Sequence, residues 1–151
     1  KFKHFNCGYK LNSQWHSHLR LKRSYLNCHL HPIGLSITPA CKCGQPLESV
    51  KHYLLDCKLY EQAREQLFAK LEGLLELRVS KYTKTNLCDI LLFGEKPHLY
   101  DKYIHNKHIF FAVQRFLGQT KRCKFLEENK PPANQADPLN LNQYPQNTQS
   151  P

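Results

Sequence analysis

Along most of this chain the apolar residues recur at helical rather than strand spacing, and the pattern predicts a mainly α fold. From Leu11 to Leu30 the positions Leu11, Trp15, Leu19, Leu26 and Leu30 are four, four, seven and four residues apart. That is one continuous helical face, which Pro32 closes. Ile33 to Ala40 reads as a short link. Residues 48–56 read as a short helix started by Glu48 or Ser49, with Val50, Tyr53 and Leu54 on one side and a break near Asp56. Leu59 to Leu77 gives the clearest amphipathic pattern, with Tyr60, Ala63, Leu67, Leu71 and Leu74 facing inward and Glu61, Arg64, Glu65, Lys70 and Glu76 on a solvated side. A further helix is expected over Asn86 to Phe93, with Thr85 as its N-cap, Gly94 after its last turn, and Leu87, Ile90, Leu91 and Phe93 inward. Residues 95–98 then form a loop. The last helix runs from Asp101 to about Thr120 on Ile104, Ile109, Val113, Phe116 and Leu117, with Lys121, Arg122 and Lys124 suiting its C-terminal dipole.

Past Leu126 the pattern stops. Residues 127–151 contain five prolines and nine Asn or Gln, which predicts a disordered tail over 126–151. The expected organisation is a basic N-terminal extension (1–10), a small helical domain (11–125) built around a zinc-binding loop (39–58), and that tail.

The loop carries the candidate chemistry. Cys41, Cys43, His52 and Cys57 form a C-x-C-x8-H-x4-C pattern, four soft or borderline ligands within seventeen residues. Zinc in structural sites takes a closed tetrahedral shell of thiolate and imidazole, and this stretch can supply one unaided. Gly44 offers the positive φ that a turn over a metal needs, and Pro39 and Pro46 keep helix out of it. The one-residue gap between Cys41 and Cys43 is tighter than most such sites use. The competing reading makes Cys41 and Cys43 loop thiols, Cys57 a small buried residue and His52 a surface side chain. His29 and His31 could pair on a metal, but at a fraying helix end they read as solvated.

Charge adds a partner. The net charge is +10, and no acidic residue occurs before Glu48, whereas Lys1, Lys3, Lys10, Arg20, Lys22, Arg23 and Lys42 all do. Such one-sidedness points to a polyanion, RNA or DNA, with Lys10, Arg20, Lys22, Arg23, Lys42 and Lys51 as candidate phosphate contacts, the competing reading being a basic surface with no partner. Aromatics at Tyr100, Tyr103, Phe110, Phe111 and Phe116 could stack on bases, although at helical spacing most of them read as core. Seven cysteines, an odd number, with no secretory signal predict a reduced intracellular setting, nuclear or cytoplasmic. No apolar run approaches the ~18 residues of a membrane span. The chain begins with Lys and contains no methionine, so it reads as a fragment of something longer.

Several of these stretches also carry a resemblance. Residues 19–27 (LRLKRSYLN), His29-Leu30-His31, Pro39-x-Cys41-x-Cys43-Gly44 and residues 48–57 (ESVKHYLLDC) resemble the region C-terminal to the polymerase in non-LTR retrotransposon reverse transcriptases of the jockey-like kind. Leu91-Leu92-Phe93-Gly94 and the segment from Ile109-Phe110 to Thr120-Lys121-Arg122 are similar to the same tail. The likeness covers roughly residues 11–125. It implies a zinc-binding accessory domain that helps a reverse transcriptase engage template RNA or target DNA, with Cys41, Cys43, His52 and Cys57 as ligands by position. One departure stands out, because that family usually has Gly where this chain has Lys22. Placed on the face that Leu19 and Leu26 define, a lysine there implies altered packing or a decaying element copy.

The paired aspartates of a polymerase are missing, since Asp89 and Asp101 each stand without a neighbouring carboxylate, so no catalytic activity is expected of this piece. A second reading keeps the zinc but makes the domain a protein-interaction module docking on the rest of the parent polypeptide, with the aromatics of 100–116 as its cue. A Cys–His hydrolase finds no local signature. Oligomeric state is open.

Overall fold

A computed structural model describes residues 9–75, 78–95 and 102–122, apart from the side chains of residues 74, 75 and 102–104. The expected tail, most of the N-terminal extension, the loop beyond Glu95 and Tyr100 lie outside the described residues. Among the described residues the fold is mainly helical, without strands: α1 (Lys10–Arg20), α2 (Asn27–Leu30), α3 (Glu61–Leu75), α4 (Lys84–Phe93) and α5 (Lys102–Thr120), joined by 3₁₀ turns and one π-turn, His52–Asp56. No helix among them is long and apolar enough to cross a membrane.

α5 is the central post, with α1, α3 and α4 all packed against it. Its buried side, Ile109, Phe110, Ala112, Val113, Phe116 and Leu117, meets Trp15 and Leu19 of α1, Leu67 and Leu71 of α3, and Leu87, Cys88, Leu91 and Leu92 of α4 in one cluster. Tyr53, Leu54 and Leu55 of the π-turn complete it. Phe93, expected inside, is half exposed at the end of α4, because Leu92 takes the inward place. The α4 N-cap is Thr83 rather than Thr85: its hydroxyl accepts from the Asn86 backbone N–H at 3.2 Å, so the helix starts two residues earlier than expected. Gly94 does end α4, at φ +79, where a Cβ would lie 2.6 Å from the Asn106 side chain. Asn106 uses that closeness to clamp the turn, accepting from Glu95 N–H (2.9 Å) and donating to Glu95 O (3.0 Å).

The expected helix from Leu11 to Leu30 is two pieces. α1 stops at Arg20, and the next turn closes on two bonds, Lys22 N–H to Leu19 O (3.2 Å) and Arg23 N–H to His18 O (3.0 Å), with Lys22 at φ +54. This is the crossed pair of a Schellman cap, whose left-handed position normally belongs to glycine. Periodicity missed the break because Leu21-Lys22-Arg23-Ser24 contains neither Gly nor Pro, and because Leu26 returns to the core after the turn. Lys22 is therefore not on the packing face at all. It is exposed, and the glycine usual in the resembling family is explained by backbone conformation.

The α1 side chains that face α4 serve its C-terminus. His16 Nε2 lies 2.9 Å from Leu91 O, and Arg20 Nε donates to Leu92 O, so two carbonyls left without helical partners are satisfied from α1. Arg20 also donates from Nη2 to His16 Nδ1 at 2.8 Å and covers the Phe110 ring at 4.8 Å. Burial, reinforced by the Arg20 charge and opposed by the Leu91 carbonyl, lowers the His16 pKa to about 3, so this imidazole is neutral.

A left-handed lysine costs about 1–2 kcal/mol relative to a residue that adopts this region freely. Lys22→Gly is expected to raise unfolding stability by about 1 kcal/mol, once the extra flexibility of the unfolded chain is offset, as read by denaturant midpoint. An unchanged or lowered midpoint would contradict the cap.

Candidate metal centre

Two short segments bring the four candidate ligands together. In the first, Gly44 at φ +96 lets the chain double back, with Gly44 N–H donating to Cys41 O (3.0 Å) and Cys41 N–H to Gln45 O (2.8 Å). This hairpin-like turn accommodates the one-residue gap between Cys41 and Cys43. In the second, Ser49 caps a helical turn by accepting from His52 N–H (3.1 Å), as expected for a helix starting there. The turn then widens to π geometry, closed by Cys57 N–H to His52 O at 2.8 Å, and ends at Asp56, with Cys57 extended. A straight α-helix would point positions five apart in different directions. The wider turn, with its release at Cys57, is how His52 and Cys57 come to the same point.

There, Cys41 Sγ lies 3.6 Å from Cys57 Sγ and Cys43 Sγ lies 3.2 Å from His52 Nε2. All four ligand atoms fall within 4.8 Å of one another. Around a tetrahedral zinc, sulfur–sulfur edges are about 3.8 Å and sulfur–nitrogen edges about 3.6 Å, so two edges are near their final length and the widest must draw in by about 1 Å. The set is close enough to hold a metal ion, and three sulfurs with one imidazole suit a borderline-soft one. Cys41, His52 and Cys57 are buried and Cys43 is partly covered. Burial raises the Cys41 pKa and pushes Cys57 up to about 12, whereas the Gln45 backbone N–H lowers that of Cys43. Cys41 and Cys57 thus stay protonated at neutral pH until a cation compensates their burial.

The centre is tied to the helical body by residues that sequence reasoning did not single out for this role. Glu48, 2% exposed, sits under the loop. Its carboxylate takes both Arg122 donors, Nε at 2.8 Å and Nη2 at 2.6 Å, and also accepts from Asn27 N–H at 2.7 Å, which starts α2. Asn27 in turn donates to Ala40 O (2.6 Å) and accepts from Arg122 (3.2 Å). Arg122 reaches Glu48 because Lys121, at φ +53, turns the chain off the end of α5. It thus serves an ion pair rather than the helix dipole expected of it. Arg64, placed on the solvated face of α3 by its spacing, is buried and donates to Cys57 O at 2.8 Å. The Tyr53 hydroxyl donates to Thr120 Oγ1 (2.6 Å), while its ring meets Phe116 at 5.4 Å and Tyr60 at 5.2 Å. One cue to this network was in the sequence: Glu48 is the first carboxylate of the chain, standing beside the cysteine turn.

The candidate phosphate contacts fall into separate places. Lys42 and Lys51 are exposed on the metal loop itself, and Lys22 and Arg23 are exposed just beyond α1. Lys10 is exposed at the opposite end of α1, about 15 Å along the axis from its last residue. Arg20 faces α4 and Phe110. His29 and His31 do not join the cluster, and His29 is not simply solvated, since its Nδ1 lies 2.8 Å from Ser24 Oγ. Of the described aromatics, Phe110 and Phe116 are buried, as expected of core, and Phe111 is 44% exposed.

Fold and site together define a mainly helical body with a Cys/Cys/His/Cys cluster close enough to hold a metal ion. Its sequence is similar to part of the Retrovirus-related Pol polyprotein from type-1 retrotransposable element R1 of Bradysia coprophila, at 38% identity over 82 residues, 49% of this chain. The match spans 8% of that polyprotein's length. No family model matches the chain. No solved structure matches it either. The similarity supports a retrotransposon-derived region within a larger polyprotein.

Metal binding must displace the protons of Cys41 and Cys57, so titration with zinc near pH 7 is expected to release at least two protons per ion. The sign follows directly: apparent affinity rises with pH, by about a hundredfold per unit while two thiols are being ionised. Calorimetry in buffers of different ionisation enthalpy checks this, and proton-neutral binding would contradict the assignment.

Proposed function

We propose that this chain is a piece of a non-LTR retrotransposon reverse transcriptase, R1- or jockey-like, from the region C-terminal to the polymerase. In this reading it works inside the cell as a zinc-stapled contact module for RNA or DNA, with no catalysis of its own. Cys41, Cys43, His52 and Cys57 hold the zinc. Lys22, Arg23, Lys42 and Lys51 meet phosphate around the metal loop, with Lys10 at the far end of α1, and Arg20 positions α1 against α4. The observation that carries the reading is the convergence of four ligand atoms within 4.8 Å, in a chain similar to a retrotransposon polyprotein and carrying a net charge of +10. An ion at that point fixes a loop that exposes Lys42 and Lys51, and cations held in place exchange condensed counterions for phosphate at low conformational cost.

One observation favours a second reading, a zinc-stapled module that docks on another part of the parent polypeptide. Ile33, Leu35 and Ile37 are 66%, 70% and 100% exposed on the link leading into the metal loop. Apolar side chains exposed together in one short segment fit a protein contact. This cue replaces the aromatics of 100–116, several of which are core.

If about five phosphates are neutralised, affinity for single-stranded RNA is expected to fall by about a hundredfold between 50 and 200 mM salt. Fluorescence anisotropy with the zinc-loaded chain measures it. Flat affinity over that range, with nuclease-resistant capture of a reverse transcriptase core, would replace the first reading by the second.

A further inference from the structure

The α1–α5 side of the molecule carries a groove that neither the metal loop nor its cations account for. It encloses about 370 Å³, with Tyr9, Asn12, Phe111, Gln114, Arg115 and Gln119 on its walls. Two aromatic rings border it in the open: Tyr9 is 78% exposed and Phe111 44%. Phe111 sits between Phe110 and Ala112, both buried, so helical geometry turns it away from the core and leaves it on the rim. A second groove of about 250 Å³ shares Arg115 and Gln119 and continues past Lys70 on α3. The two form one track, with an exposed arginine at the junction.

Charge selects the occupant. α1 and α5, at 11 and 19 residues, contain no Asp or Glu, and of their cations Arg115 lines both grooves. The carboxylates of α3, Glu61, Glu65 and Glu72, line neither groove. A lining without carboxylates that holds two cations, Lys70 and Arg115, and two open rings matches an anionic backbone with flat apolar appendages. A volume of 370 Å³ is at the scale of one nucleotide-sized ligand. Stacking also needs a base whose face is open, which a duplex does not offer along its length.

We propose that this track binds single-stranded nucleic acid, with a base stacked on Phe111 beside Tyr9 and a neighbouring phosphate against Arg115. It deepens the nucleic-acid reading above and rests on it, adding a site remote from the metal loop and a preference for unpaired strands. The stacked base contributes affinity with little regard to sequence, since every base has a π-face.

The test uses the full zinc-loaded chain with a labelled 12-nucleotide oligouridylate and a 12-base-pair RNA duplex, by anisotropy. The wild type is expected to favour the single strand. Phe111→Ala is expected to weaken it by about tenfold, Phe111→Trp to retain it, and Arg115→Ala to reduce the salt slope by about one phosphate. Both residues are exposed, so helicity and bound zinc should be unchanged, and were Phe111→Ala to misfold, Phe111→Trp and Arg115→Ala still decide. Wild-type binding that none of these variants alters, or equal affinity for duplex, would overturn the track while leaving the nucleic-acid reading in place. Failure of the wild type to bind either probe would overturn both. Variants that lose capture of a reverse transcriptase core instead of RNA would reassign the groove to a protein partner.

Discussion

Three thiols and an imidazole meeting at one point is the constraint on which the rest of this molecule depends. The loop from Pro39 to Cys57 has little regular structure of its own, and four of its side chains converge on one point, with Cys41 and Cys57 Sγ 3.6 Å apart. Burial that keeps Cys41 and Cys57 neutral becomes favourable once a cation is shared among them, so binding free energy there is also folding free energy. Apart from Tyr53, Leu54 and Leu55, which reach the core, the loop rests on a two-bond turn, one widened helical turn and a handful of polar anchors.

Those anchors decide which way the loop faces. Glu48 and Arg122 form a paired, largely buried bridge at 2.6–2.8 Å between the loop and the end of α5, with Asn27 completing it. Such a pair is poor evidence of net stability, because desolvation offsets much of its attraction, but losing one partner strands the other and costs about 3–5 kcal/mol. Its contribution is orientation. With Arg64 on the Cys57 carbonyl and Tyr53 on Thr120, it fixes the metal loop against α3 and α5, so that Lys42 and Lys51 point to solvent. The same logic operates at the other end of the core, where His16 and Arg20 finish α4.

Much of this was legible in the sequence, for identifiable reasons. The clustering of Cys41, Cys43, His52 and Cys57 could be read because they lie within seventeen residues, and the break after Asp56 because His52 and Cys57 are five apart. The large helices could be read because α3 and α5 bury a single face of long period. What could not be read depends on partners far apart in the chain: Glu48 with Arg122, 74 residues away, or Arg20 with Leu92, 72 away. The split of the first helix was hidden for a different reason. Its stop position is held by Lys22, whose left-handed backbone no side-chain pattern announces, and the resemblance to a family with glycine there was the available clue. Arg64 and Phe93 show how one position of helical phase, about 100°, decides between core and solvent.

Zinc K-edge X-ray absorption on the purified chain reads the shared site itself. One zinc per chain is expected, coordinated by three sulfurs at about 2.3 Å and one nitrogen at about 2.0–2.1 Å, fixed whether or not nucleic acid is present. A shell dominated by oxygen, or fewer than three sulfurs, would contradict the shared site and the fold organisation built on it.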